Sequence, residues 1–82
     1  MNKRETRSLH TGGGGLDGLL TGPDSKRFAT FGDDRVELWD LATGQVVRSW
    51  PVFGVRSLVF TPDSRRLLAG LEESTLFLLE AP

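Results

Sequence analysis

Few side chains in this sequence could do chemistry. Two pairs of adjacent carboxylates, Asp33-Asp34 and Glu72-Glu73, could share a proton as acid and base, or hold a hard cation. The single histidine, His10, together with serines and aspartates, invites a nucleophile reading. Gly12 to Gly15 could cradle a phosphate on backbone N–H groups. Each candidate lacks the context its chemistry needs. The acid pairs sit between short apolar runs, where a hairpin tip leaves carboxylates in water. No strand-turn-helix elbow frames a serine to supply the oxyanion donor. The glycines have no strand before them and no Lys-Ser/Thr after them, so they read as a loose connector. One histidine and no cysteine leave neither a zinc site nor a disulfide. The expectation is therefore no catalytic residue, no cofactor, no metal and no enzyme.

The elements that would position any site must fit into 82 residues. A chain of that size is one small domain, burying only about 60–65% of its unfolded surface. Without a staple, such a chain usually needs idealised packing or a partner. A net charge of −1 with 26% charged residues of mixed sign is an ordinary soluble surface. Lys3, Arg4 and Arg7 against Glu5 make the start locally basic, but too weakly for a nucleic-acid arm. No apolar run reaches the roughly 18–20 residues that cross a bilayer, and the N-terminus lacks a signal-peptide core. No nucleic acid, no membrane and a cytoplasmic location are the expectations.

Turn residues punctuate the chain about every ten positions, as in antiparallel all-β structure. Leu16–Thr21 reads as a weak strand diluted by Gly18, and Gly22-Pro23-Asp24-Ser25 as a turn. Strands follow at Arg27–Phe31, Val36–Leu41 and Gln45–Trp50. The intervening turns are Gly32-Asp33-Asp34-Arg35, where positive φ is expected, and Ala42-Thr43-Gly44. The pattern then restarts. Thr61-Pro62-Asp63-Ser64-Arg65-Arg66 repeats Gly22-Pro23-Asp24-Ser25-Lys26-Arg27 after 39 residues, a supersecondary period. Strands at Val55–Phe60, Leu67–Leu71 and Thr75–Glu80 complete the copy up to its third strand.

Leu67, Leu68, Leu71, Thr75, Leu78 and Leu79 also fit a helical stripe capped by Asp63 or Ser64. That helix would expose Leu76 and Phe77 and bury Gly70 mid-helix at a cost of about 1 kcal/mol. The parallel with residues 23–40 decides for strands. Leu67–Leu71 and Leu76–Leu79 are apolar on both faces, which predicts a sheet covered on both sides. Two sheets cannot cover four faces between them, so something further must.

Pro23-Asp24-Ser25 with its basic pair, Phe28 through Trp39-Asp40, and Ala42-Thr43-Gly44-Gln45 together resemble WD40 repeats, the blades of a β-propeller. The resemblance spans about residues 10–80, strongest in 23–50. It implies two four-stranded antiparallel blades, incomplete as a ring on their own. Residues 16–50 would form the first blade and 51–82 the second, which lacks its fourth strand. Residues 1–15 would be a polar segment with a glycine linker and a possible outer strand at 5–9, since Arg7-Ser8-Leu9 is similar to Arg48-Ser49-Trp50. Some blades of this family carry a structural His–Ser/Thr–Asp–Trp hydrogen-bond network. His10, Thr30, Asp34 (or Asp33) and Trp39 match it here, His10 two residues out of place. Pro51, Ala69, Glu73 and Leu79 occupy those places in the second unit, where no network can form. Thr21 in place of an apolar residue and Leu79-Glu80 in place of Trp-Asp depart from the family pattern.

The resemblance implies a fold that serves unrelated functions. Its implied role is a non-catalytic protein-protein interaction module or scaffold. The chain would act as an oligomeric ring of three or four copies, or with the remaining blades of a longer chain. Protein or peptide would bind at loops 32–35, 51–54 and 72–74, with Trp50, Phe53 and Arg56 as candidate contacts. Plain packing is the competing role for those three. A structural fragment of a longer WD40 protein with no independent activity is the alternative.

Overall fold

A computed structural model describes residues 16–82. Seven strands run in chain order: β1 (Leu16–Thr21), β2 (Arg27–Gly32), β3 (Val36–Asp40), β4 (Gln45–Trp50), β5 (Val55–Phe60), β6 (Arg66–Leu71) and β7 (Leu76–Glu80). A 3₁₀ turn, Glu72–Ser74, joins β6 to β7. The strands form two antiparallel sheets, β1-β2-β3-β4 and β5-β6-β7, each a meander in which sequence neighbours pair. The helix reading of residues 63–79 is excluded.

Strand ends differ from expectation by single residues, for local reasons. β3 stops at Asp40 because its carboxylate accepts from the N–H groups of Ala42 (2.8 Å) and Thr43 (3.1 Å), turning Leu41 out of the sheet. Gly44, at φ 73°, then returns its N–H to the Asp40 carbonyl. The Gly32–Arg35 turn closes through the Gly32 N–H and the Arg35 carbonyl. Neither Asp33 nor Asp34 takes the positive φ expected there; left-handed backbone falls instead on Ser25, Ser64 and Ser74.

The two sheets meet face to face over one core. Register puts Leu20, Ala29 and Leu38 side by side on one face of the first sheet, with Phe31 and Val36 beside them. The same reasoning puts Leu58 with Ala69, and Phe60 with Leu67 and Leu79, on one face of the second. These faces close on each other around Val52 of the connecting segment. Val36, Leu38, Leu67 and Ala29 are fully buried. Burying each of the larger ones contributes about 1.5–3 kcal/mol. The terminal residues tie across as well, the Arg27 guanidinium donating to the Pro82 carbonyl at 2.9 Å.

The expected cover on both sides is only half present. Opposite the core, the second sheet carries Val59, Leu68, Leu76 and Leu78 in adjacent registers. Val59 is 51%, Leu76 64% and Leu78 55% exposed. On the outward face of the first sheet, by contrast, Phe28 and Trp39 are buried and stack with ring centroids 5.6 Å apart.

Candidate functional site

One pair of the sequence-predicted network is in place. Phe28 and Trp39 face each other across β2 and β3, and two residues on Thr30 shares their face. The Trp39 indole Nε1 donates to the Thr30 hydroxyl at 3.1 Å, and both residues are buried. A buried indole N–H left without that acceptor would cost about 1–3 kcal/mol. The Asp34 carboxylate accepts from Arg35 Nε at 3.2 Å and Nη2 at 3.4 Å. His10, like the glycine run 12–15 and the possible strand 5–9, lies outside the described residues. In the second sheet the matching places hold Ala69 and Leu79, buried and without hydrogen-bonding side chains.

Glu37 was not singled out by sequence. It alternates with Val36 and Leu38 as a solvent-facing residue would, yet its side chain is only 7% exposed. Arg35 lies two positions back on the same strand face, its Nη1 3.9 Å from Glu37 Oε2.

The three candidate contacts gather at one end of the sheets. The connecting segment turns at Gly54, φ 76°, whose N–H approaches the Asp33 carbonyl at 3.4 Å. That contact brings loop 51–54 against turn 32–35. Arg56, at the start of β5, forms an ion pair with Glu72 on the adjoining 3₁₀ turn. Both side chains are exposed, so the pair contributes little to stability and its charges stay open to a partner. Phe53, Gly54, Leu71, Glu72 and Thr75 line a shallow open hollow there. Phe53 projects from its rim, 68% exposed. Trp50 does otherwise: it packs half-buried on the core, with the Arg48 guanidinium over its ring at 5.9 Å.

This end thus offers an exposed aromatic ring, an exposed cation paired with a carboxylate, and an open hollow. Among the described residues, no group of three His, Asp or Glu side chains could hold a metal ion. Nor, among the described residues, is any helix long and apolar enough to cross a membrane.

Fold and site together define the class: an all-β protein of two antiparallel sheets built on a repeated unit. No protein-family model and no curated protein matches the sequence.

The repetition extends to individual hydrogen bonds. Gly22 N–H to Arg27 carbonyl (2.8 Å) corresponds to Thr61 N–H to Arg66 carbonyl (2.9 Å). Ser25 to Gly22 (3.0 Å) corresponds to Ser64 to Thr61 (2.9 Å), and Leu41 to Lys26 (3.0 Å) to Ala81 to Arg65 (2.8 Å). Asp24 and Asp63 accept from Lys26 and Arg65, each at 3.0 Å. Ser25 and Ser64 share φ values of 61° and 62°. Even the register shift early in β1, between Leu16 and Gly18, recurs in β5 between Val55 and Ser57.

Proposed function

We propose that this chain is a non-catalytic protein-protein interaction module of the WD40 type. The first sheet would be one whole blade and the second sheet three strands of another. It would work as an oligomeric ring or as part of a larger propeller, taking a protein or peptide at the end that carries Phe53 and Arg56. The observation that supports this most is the repeated unit, matched in the hydrogen bonds of its proline turn and carrying the buried Thr30–Trp39 pair in its first copy. A partner suited to the hollow has an apolar side chain to lie on Phe53 and an acidic group to compete with Glu72 for Arg56.

The test is selection of a displayed random-peptide library on the purified chain. Peptides rich in apolar and acidic residues should emerge, and F53A or R56E should weaken them at least about tenfold with the circular-dichroism spectrum unchanged. Failure to enrich any peptide, or binding indifferent to both substitutions, would overturn the reading.

One observation favours a second reading, a structural fragment of a longer WD40 protein with no activity of its own. β3 is covered by β4, whereas β7 has no further strand beside it among the described residues. That reading expects a chain that forms no defined oligomer and binds no peptide.

A further inference from the structure

Register and repeat together show which face of each sheet corresponds to which. Leu38 sits opposite Ala29, and Leu78 opposite Leu68, so the core-facing residues Ala29, Val36 and Leu38 have Leu68, Leu76 and Leu78 as counterparts. The first set is fully buried against the second sheet, and Leu76 and Leu78 of the second set are open to water. Conversely, Leu58, Leu67, Ala69 and Leu79, which cover the first sheet, correspond to Leu19, Phe28, Thr30 and Trp39 on its outward face. The chain therefore already contains one complete interface, in which the face of one unit receives the opposite face of the next. It is a head-to-tail arrangement, and its second half is repeated on the open side.

We infer that the Val59/Leu68/Leu76/Leu78 face receives a second copy of this chain, which enters with the outward face of its first sheet. On that face Phe28, Thr30 and Trp39 are already buried within the single chain, so the second copy is met by the exposed Leu19 and Val46, at 62% and 42%. The interior interface supplies the template for a polar contact too. Arg27 reaches the Pro82 carbonyl within the chain. Its counterpart Arg66, half-exposed and paired with Glu80, would reach the matching carbonyl of the neighbour, that of Ala42. Such an interface is heterologous and closes into a ring when the rotation per unit allows it. This inference rests on the repeat reading proposed above but concerns a different surface from the peptide-binding end.

The experiment is native mass spectrometry and light scattering of the full chain at about 100 µM, with L78E, L19E and their mixture. Both substitutions fall on exposed side chains, and circular dichroism reports whether each variant keeps its strands. The wild type should run at roughly three to four times the chain mass. Each variant alone should fall to monomer, because every copy has lost one half of the interface. Mixed, they should recover a one-to-one dimer, since each supplies the intact half the other lacks. A monomeric wild type, folded variants that still assemble, or a mixture that stays monomeric would each overturn the inference. A monomer that still captures library peptides would fail it while leaving the interaction-module reading intact.

Discussion

The first sheet and the second share a turn, a strand order and a hydrogen-bond pattern, but differ in what they bury. In the first, the core-facing side is sealed and the outward side closes over a Phe28–Trp39 stack held by Thr30. In the second, one side is sealed and the other presents leucines to water. The difference lies in side chains rather than backbone. Where the first unit has Thr30, Trp39 and Ala29, the second has Ala69, Leu79 and Leu68. Removing the hydroxyl and the indole together leaves no orphaned polar group, so the second unit keeps the same backbone with an apolar substitute. A repeat can thus shed its polar anchor without losing its shape, provided both partners of the bond go together.

The widest separation between the sheets should come from truncating matched leucines. Leu38→Ala opens a cavity at a fully buried position and is expected to cost about 2–5 kcal/mol in urea denaturation. Leu78→Ala, at the matching exposed position, should change the stability of the monomer by no more than about 0.5 kcal/mol. A Leu78→Ala loss that grows with chain concentration would be the mark of a second copy covering the open face of the second sheet, whereas an equal loss in the dilute monomer would break the contrast.

Exchanging the polar anchor sharpens the contrast at a smaller scale. Thr30→Val strands the Trp39 indole N–H and should cost about 1–3 kcal/mol. Ala69→Thr buries a hydroxyl that has no indole to meet, because Leu79 stands there, and should also destabilise, by about 1–3 kcal/mol. Adding Leu79→Trp to Ala69→Thr should recover part of that loss if the two units are interchangeable. A double variant no better than the single one would break the equivalence.

The smallest effect belongs to the turns. Asp63 is held below its ordinary 3.8, chiefly by the Thr61 hydroxyl at 2.6 Å and then by the Arg65 N–H. The lowered value means the charged form is favoured by folding. Its stabilisation is present above pH 3.8 and is lost as acid titrates the group. Thr61→Val should move the Asp63 titration back up towards 3.8 when followed by NMR.

Strand positions were legible in the sequence because the turns are spelled out twice, by Pro23-Asp24-Ser25 and Pro62-Asp63-Ser64. The Thr30–Trp39 pair was legible only through the resemblance to WD40 repeats; the register, with Trp39 diagonal to Thr30 on one face, lets the two side chains meet. Two things were not. Glu37 hides beside Arg35 on a face whose cover cannot be read from alternation. For strands apolar on both sides, such as β6 and β7, periodicity gives two faces but not which one the neighbouring sheet takes. Left-handed backbone at Ser25 and Ser64 goes with the carboxylates of Asp24 and Asp63, which accept from the N–H two residues on and fold the turn over the serine between.

Strand order that follows chain order has a kinetic consequence. Among the described residues every pairing joins neighbours separated by a short turn, so each of these hairpins closes at low entropic cost. Low contact order of this kind favours fast folding for an all-β chain. The first sheet needs nothing beyond residue 50 for its own pairings. It can form behind the ribosome while the second is still being made. The later strands would then be delivered onto a finished apolar template, which limits the time that Leu67 and Leu79 spend unprotected.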